Sequence, residues 1–502
     1  MEENNLQEQK VELTAEEYAE VVRVRREKLA AMNAEGFNPY SATKYKKTAF
    51  AADILNNFDK YDGKKVSIAG RMTAKRIMGK ASFAHILDAS GAVQIYVKSD
   101  EIGEAAYETF KKYDIGDILG ITGVCFVTHK GEKSVKAAKI ELLSKSLLPL
   151  PEKWHGLKDM DLRYRQRYVD LIANPEVKQT FITRSKIIAA VRGFLDSQGF
   201  IEVETPTLGT IAGGASARPF KTHHNTLDID MFLRIAPELY LKRLIVGGFE
   251  KVYEIGKMFR NEGMSVKHNP EFTMMELYQA YADYRDMMDL TEKIYACVLK
   301  KLELPSVITY QGTKIDLSVP WERLTMVEAV KRYTGLDFGA LDYKTLYAKA
   351  EATGDIPLKD ADTWGRLLYA VFDAKVEQQL INPVFIYDYP VEESPLAKKK
   401  ASDPRLTERF EFFIYAREMG NAYSELNDPI DQKERFLKQM ELRRAGNDEA
   451  QMMDEDFVNA LEYGMPPTGG LGIGLDRLII LLTDSPSIRD IILFPTMRPI
   501  KK

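Results

Sequence analysis

Apolar and polar positions recur with different periods along the chain, and the first segment has the period of a helix. Residues 14–36 are typical of one amphipathic helix, because Thr14 and Glu17 match a capping box and Gly36 marks an end. Its cations are Arg23, Arg25, Arg26 and Lys28. They form a solvated helix face or contact an RNA backbone. We predict a helical extension over residues 1–57.

Short apolar runs separated by turn residues fill residues 58–148. Strands are predicted over residues 65–72, 81–87, 93–97 and 118–127. This spacing fits a five-stranded barrel of the OB type, whose aromatic side chains stack on single-stranded bases. Phe83 is the candidate side chain for stacking on a base. Arg76 and Gln94 are nearby polar side chains that would recognise bases. The alternative for Phe83 is a place in the barrel core.

A connector is predicted over residues 149–176. It begins with Pro149-Leu150-Pro151-Glu152, which resists helix formation, and then becomes rich in arginine and tyrosine. Beyond it, residues 177–502 mix helical periods with apolar strands and lack a parallel βαβ rhythm. The lysine run at 398–400 is predicted to lie in a solvated loop.

The composition of the chain mainly argues against certain classes of protein. The chain has 502 residues, 45% hydrophobic and 29% charged, as expected for a globular protein of roughly two to four domains. Its two cysteines, Cys125 and Cys297, are far apart, which argues against a disulfide framework or zinc site. The start lacks the features of a signal or transit peptide, and no apolar run approaches the roughly 20 residues of a membrane span. We expect a cytoplasmic protein without a membrane partner. The net charge of −4 alone gives no sign of nucleic acid.

Three elements carry the candidate chemistry, and the first is a helix followed by a strand. One helix face carries Ile187, Ile188, Val191, Phe194 and Leu195. Gly199 closes this helix, and residues 200–204 continue as a strand into Thr205-Pro206. The apolar face either packs in the core or forms a subunit interface.

The second element is a hairpin with charged residues at its mouth. Strands are predicted at 251–258 and 273–280, and Arg260 and Phe272 lie between them. An arginine there can hold the α-phosphate of ATP, and an aromatic ring can stack on adenine. The alternative for Arg260 is an ordinary salt bridge.

The third element is the glycine-rich run at residues 469–474, followed by a predicted helix near Leu475. Its spacing is that of neither a Rossmann fingerprint nor a P-loop. Alternate glycines let the backbone lie close to a ligand, or simply to another strand. Arg477, just after the run, can meet a phosphate.

These three elements, in this order, resemble the three motifs of class II aminoacyl-tRNA synthetases. The resemblance implies an α+β protein: the OB barrel, then a catalytic domain over residues 177–502 with an antiparallel sheet flanked by helices. It also implies ATP as co-substrate, and a homodimer interface in the first element. Arg260 and Arg477 fall where the family has its two ATP-binding arginines.

Within this class, the barrel and three segments resemble the lysyl enzymes. The segments are residues 213–220 (GGASARPF), 409–413 (RFEFF) and 424–428 (SELND). L-lysine and tRNA(Lys) are therefore the expected partners. A buried lysine ammonium needs a carboxylate, since an unpaired buried cation is costly. By resemblance, Glu425 and Tyr278 receive it, and the rest of the amino acid is lined by Gly214, Glu238, Glu276, Asn421 and Tyr423.

The resemblance also assigns residues to ATP and to a metal. Arg260 would bind the α-phosphate and Arg477 the γ-phosphate. The others would be Glu262, orienting ATP, His268, near the β- or γ-phosphate, and Asn269 and Phe272, at the adenosine. Glu411 and Glu418, seven residues apart, would hold Mg²⁺ through oxygen ligands. Taken alone, these two carboxylates would be read as surface residues.

Three alternatives stay open at this stage. An aspartyl- or asparaginyl-tRNA synthetase would share the fold but needs a cation facing an acidic substrate. A lysine-activating relative that modifies a protein resembles the catalytic domain alone, without a barrel. A non-catalytic RNA-binding paralogue would be expected to lose the phosphate-binding arginines or the metal carboxylates, which are present here.

Overall fold

The computed structural model describes residues 14–151 and 157–500. They form two compact units: residues up to 160 together with 168–173, and residues 161–167 together with those from 174 onward. The polar start of the chain, Glu152 of the connector and the last two lysines lie outside the described residues.

The first unit is built on a closed five-stranded barrel, which confirms the predicted OB fold. Its strands are β1 (Lys65–Met78), β2 (Ala81–Leu87), β3 (Ala92–Lys98), β4 (Ile118–Val127) and β5 (Lys133–Ser144). They are ordered β1-β2-β3-β5-β4, and β1 pairs with β4 to close the barrel. β1 runs beyond the predicted strand because a register shift between Met72 and Ala74 lets it continue along β2. β5 escaped prediction because its burial pattern does not alternate regularly.

The helices that precede or interrupt the barrel strands are α1 (Ala15–Ala34), α2 (Ala51–Asn56), α3 (Ser99–Ile102) and α4 (Glu104–Lys112). The capping box at the start of α1 is present, with Thr14 Oγ1 accepting from the Glu17 amide at 3.2 Å.

Arg25 of α1 neither belongs to a solvated helix face nor is free to contact an RNA backbone. It is 7% exposed and donates to the carbonyl oxygens of Leu148 at 2.8 Å and Ile115 at 2.9 Å. The prediction was wrong there because the fold brings carbonyl groups from distant parts of the chain next to this side chain.

The predicted connector contains α5 (Met160–Arg165) and α6 (Arg167–Ala173), and further helices and strands follow. The helices are α7 (Pro175–Ser197), α8 (Glu238–Val246), α9 (Tyr284–Lys301), α10 (Met326–Thr334), α11 (Tyr343–Glu351), α12 (Trp364–Lys375), α13 (Pro429–Arg444), α14 (Glu455–Glu462) and α15 (Leu475–Leu482). The strands are β6 (Ile201–Glu202), β7 (Leu208–Gly209), β8 (Lys221–His224), β9 (Ile229–Leu233), β10 (Lys251–Phe259), β11 (Glu271–Ala280), β12 (Val307–Tyr310), β13 (Thr313–Asp316), β14 (Glu322–Thr325), β15 (Val384–Pro390), β16 (Lys399–Lys400), β17 (Asp403–Phe413), β18 (Glu418–Ser424) and β19 (Thr468–Ile473).

A nine-stranded sheet dominates the second unit, with the order β14-β15-β17-β18-β19-β11-β10-β6 and with β16 paired to β17. Its pairing is antiparallel, as expected, except that β14 and β6 join their neighbours in parallel. The strand expected at 200–204 shortens to β6. A smaller sheet, β7-β9-β8, and the hairpin β12–β13 lie outside this path.

One side of the large sheet packs against helices. Met275 and Leu277 of β11, Ile473 of β19 and buried residues of α7, α9 and α15 share one hydrophobic core. Because side chains alternate along a strand, Glu276 and Tyr278 of β11 point to the other side of the sheet. The fold therefore sets a row of polar side chains against a rigid, helix-covered layer.

The lysine run at 398–400 is not the solvated loop that was predicted. Lys399 and Lys400 form β16, and they pair with Asp431, at 3.1 Å, and with the buried Asp388. Acidic partners brought near by the fold explain the difference. Among the described residues, no helix is both long and apolar enough to cross a bilayer.

Candidate active site

A cavity of about 390 Å³ lies against the polar side of β11, β18 and β19, within the range typical of ligand sites. It brings together every residue expected to bind ATP, the amino acid or a metal. These are Gly214, Glu238, Arg260, Glu262, His268, Asn269, Phe272, Glu276, Tyr278, Glu411, Glu418, Asn421, Tyr423, Glu425 and Arg477.

The floor of the cavity is made of two rows that cross the sheet at right angles to its strands. One row runs Glu276, Gly472, Asn421, Glu411, and the other Tyr278, Gly470, Tyr423, Arg409. A glycine of β19 stands in each row. At Gly470 a Cβ would collide with Glu425 Oε1 and lie 2.6 Å from Tyr278 Cε1. No larger residue fits there without moving these two side chains.

Carboxylates define one end of the cavity. Glu425 is 1% exposed and Glu238, the first residue of α8, is 4% exposed. Glu238 Oε1 accepts hydrogen bonds from Tyr423 Oη at 2.7 Å and from Lys242 Nζ at 2.6 Å. Lys242 also forms an ion pair with Glu425 Oε2, while Glu425 Oε1 has no hydrogen-bond partner among the described residues.

Glu276 completes this acidic end. Tyr278 Oη donates to Glu276 Oε2 at 3.2 Å. Burial, and next the charge of Glu238, raise the pKa of Glu276 to about 8. Its carboxyl group therefore holds a proton at neutral pH. Burial also holds the pKa of Glu425 well above its usual range, against the opposing charge of Lys242.

Two arginines define the other end. Arg260 directly follows β10, and its guanidinium lies 5.1 Å from the ring centre of Phe272. Its Nε is buried without a partner among the described residues, and burial lowers the pKa of this arginine. Arg477 Nη1 lies 3.1 Å from Glu418 Oε2. Asp476 holds the start of α15 to β11 by accepting from the Thr273 amide at 2.9 Å.

A loop between β10 and β11 carries three further candidates. His268 Nδ1 lies 3.1 Å from Ser265 Oγ, and burial, followed by the charge of Arg477, lowers the pKa of the histidine. Asn269 is buried and donates from Nδ2 to the carbonyl oxygen of Glu271 at 2.7 Å. Glu262 is exposed at the rim. The positive charge of Arg260 and Arg477 near this histidine favours an anionic ligand, to which a neutral imidazole can donate one hydrogen bond.

Glu411 and Glu418 lie on the two strands of the β17–β18 hairpin, and both line the cavity. Glu411 accepts from Tyr389 Oη at 3.0 Å and from Arg409 Nη2 at 2.6 Å. Burial, then the charge of Glu418, raise the pKa of Glu411 to about 7, so a cation placed between them would be stabilised. No cluster of three or more potential protein ligands occurs in the described parts of the chain. This pair fits an oxygen-ligated cation that takes its other ligands from phosphate and water.

The barrel carries its candidates on its outer surface. Phe83 is half-buried outside the barrel core, which contradicts the core alternative, and its ring centre lies 5.0 Å from that of Tyr96. Tyr96 in turn lies 5.9 Å from Phe126, so three rings form a row. Arg76 pairs with Phe83 across β1 and β2 and is exposed. Gln94 donates to Glu132 at 2.7 Å and accepts from Ser134 at 2.9 Å.

Several residues of both sites were missed from the sequence. Tyr96 and Phe126 could have been found, since alternation places Tyr96 on the same barrel face as Phe83. Lys242 also carried a signal, because it follows Glu238 by four residues on a helix. Tyr369 and Arg409 reach the cavity through tertiary packing, which no local pattern reveals.

Comparison with known families agrees with this geometry. The model described as tRNA synthetases class II (D, K and N) matches residues 159–498, and that described as OB-fold nucleic acid binding domain matches residues 66–143. The chain belongs to this class II tRNA synthetase family. A lysine–tRNA ligase of Carboxydothermus hydrogenoformans is 61% identical over 96% of this chain and 99% of its own length. Lysine–tRNA ligases of Pelotomaculum thermopropionicum (96% of each chain) and Clostridium novyi (97% of this chain, 96% of its own) are 60% and 56% identical.

The buried proton on Glu276 predicts a pH effect on stability. The folded-state pKa of about 8 exceeds the ordinary 4.5, so the folded chain keeps a proton that the unfolded chain releases between these values. This contribution to stability is lost as the pH rises through about 8. The free energy of unfolding of the wild type, relative to Glu276→Gln, should therefore fall from about pH 5 to about pH 8.5 in urea titrations. A difference independent of pH would contradict it.

Proposed function

We propose that the protein activates L-lysine with ATP, releases pyrophosphate, and transfers lysine to the 3′ end of tRNA(Lys). The near full-length relatives that carry the name lysine–tRNA ligase support this reaction. The observation that carries the choice of amino acid is the free Oε1 of buried Glu425 at the closed end of the cavity.

A lysine side chain satisfies this end of the cavity and an aspartate side chain does not. The ε-ammonium would bind Glu425 Oε1 and the hydroxyl of Tyr278. Its positive charge would compensate the negative charge of the buried carboxylates at this end. Gly214, Glu238, Glu276, Asn421 and Tyr423 would surround the rest of the amino acid. The cation nearest this end, Lys242, is already paired with both Glu238 and Glu425.

Activation begins when the lysine carboxylate attacks the α-phosphorus in line and pyrophosphate departs. Arg260 binds the α-phosphate and stabilises the charge of the pentavalent transition state, and its unpartnered Nε supports this role. Arg477 binds the γ-phosphate from the start of α15. Both residues act by position and charge, and no covalent intermediate with the protein is needed.

The remaining residues of this end orient ATP. Phe272 stacks on adenine, and Asn269 contacts the adenosine. Glu262 orients the nucleotide, and His268 approaches the β- or γ-phosphate as a neutral donor. The half-buried Phe272, packed on the core of the sheet, provides a fixed surface for the base.

Mg²⁺ would be held by Glu411 and Glu418. When bound, it would neutralise part of the negative charge of the ATP phosphates. The two carboxylates keep their own partners, Arg409 and Arg477, so their positions are set by the protein alone. We therefore expect ATP and Mg²⁺ to bind together, as a complex.

Transfer follows when the terminal 3′-hydroxyl of tRNA attacks the lysyl-adenylate, and AMP leaves. The outer face of the barrel, with Phe83, Arg76 and Gln94, binds the anticodon. The protein acts in the cytoplasm as a homodimer. Exposed apolar side chains near the first element, Ile182 and Ile201, are candidates for burial between subunits.

The first experiment is amino-acid-dependent ATP–pyrophosphate exchange with the purified protein, Mg²⁺ and each of the twenty amino acids in turn. We expect exchange with lysine alone. Exchange with aspartate or asparagine would keep the fold and overturn the assignment of the acidic end. No exchange with any amino acid, by a folded protein, would favour the non-catalytic paralogue.

Arg260→Ala should lower lysine-dependent exchange by about 100-fold or more, since it removes a charge that stabilises the transition state. Exchange rates are compared with those of Arg332→Ala, which loses a surface ion pair with Glu322 and should retain activity. Near-normal exchange by Arg260→Ala would contradict the role of this residue.

Phe83→Ala should weaken charging of tRNA and spare lysine activation, because stacking contributes roughly 1–3 kcal/mol per base. The two activities are measured by aminoacylation and by pyrophosphate exchange. Phe37→Ala removes an exposed ring from the same unit and is the matched control. An equal fall of both activities in Phe83→Ala would mean that the ring is structural.

A further inference from the structure

The acidic end of the cavity contains a cation that belongs to the protein. Lys242 lies on α8, and its side chain is fully buried. Its ammonium bridges Glu238 and Glu425, and it lies 5.4 Å from the ring centre of Tyr423 and 5.9 Å from that of Phe457. A lysine side chain of the protein thus uses the same carboxylates that a lysine substrate would approach.

The two cations would approach Glu425 through different oxygens. Lys242 contacts Oε2, whereas Oε1 lies over Gly470, which lines the cavity. Oε1 of Glu238 accepts from both Lys242 and the Tyr423 hydroxyl. One acceptor of Glu425 is therefore left for one further ammonium group.

Without Lys242, two carboxylates would lie buried side by side with no cation between them. Such pairs share a proton, because two like charges in a low-dielectric site cannot both be ionised. A protonated Glu425 could donate to a neutral substrate side chain and would bind an ammonium poorly. The cation of Lys242 opposes this protonation, which burial and the charge of Glu238 favour.

We propose that Lys242 is a positioning residue for amino-acid selection: its ammonium holds Oε2 of Glu425, so that Oε1 faces the substrate. This inference rests on the proposed function, since it explains how the same site prefers a primary ammonium to an uncharged group of similar length. Lys242 itself takes no part in the chemical steps.

The test compares Lys242→Met and Lys242→Gln with the wild type in ATP–pyrophosphate exchange, using lysine and its neutral analogue 6-hydroxynorleucine. We expect the KM for lysine to rise about 30-fold in both variants, and the KM for ATP to change less than about twofold. The preference for lysine over the analogue should fall by about tenfold or more. Lys293→Met makes the same change on the exposed side of α9 and should leave all these values unchanged.

Glutamine separates charge from packing, because it keeps a hydrogen-bond donor and loses the cation. If Lys242→Gln has the wild-type KM and preference, the proposal is overturned. It is also overturned if kcat falls while both KM values and the preference stay constant, since that would be a general structural effect. Should Lys242→Met fail to fold, Lys242→Gln carries the same comparison. A wild type that does not exchange with lysine would instead refute the proposed function, before any variant is considered.

Discussion

Strand β19 crosses the middle of the catalytic sheet with glycine at positions 470 and 472, and the site is arranged around this gap. Tyr278 and Tyr423 are neighbours of Gly470 on either side, and Glu425 reaches over it. A side chain at this point would fill the space that the carboxylate and the ring occupy. The sheet can hold a ligand against its own backbone only because this strand presents no side chains there. The helices behind the sheet make that surface rigid.

Charge is the second organising factor, and the protein's own groups compensate much of the charge in the cavity before any substrate binds. Glu411 and Glu418 have arginine partners, Glu238 and Glu425 share Lys242, and Glu276 keeps a proton. Within the described part of the chain, the buried atoms of these groups that lack a hydrogen-bond partner include the Nε of Arg409, the Nε of Arg260 at one end and Oε1 of Glu425 at the other. Since unpaired buried charges are costly, the atoms at the two ends favour a ligand that carries an anionic group at one end and a cationic group at the other.

The fold and most of the cavity could be predicted from the sequence because their signals are local. The capping box of α1, the strands β2 and β4 and the start of α15 fall where the pattern placed them. The errors arose where partners come from distant segments: Arg25 meets carbonyl groups 90 and 123 residues away, and the lysines of β16 meet Asp388 and Asp431. For Lys242, the spacing from Glu238 indicates one partner, but the second, the buried Glu425, comes from a distant segment that no local pattern reveals. The individual roles of the site residues stay predictions.

The row of rings on the barrel has a consequence for how this protein family can change. Phe83, Tyr96 and Phe126 stand outside the buried cluster that holds the barrel together. Exchanging one of them alters the surface that we propose for anticodon binding and removes little of the packing on which folding depends. Selection can therefore vary the recognised sequence almost independently of stability, whereas β19 leaves no comparable freedom at the amino-acid site. The two halves of the proposed task, choosing an amino acid and choosing a tRNA, are thus expected to evolve at different rates.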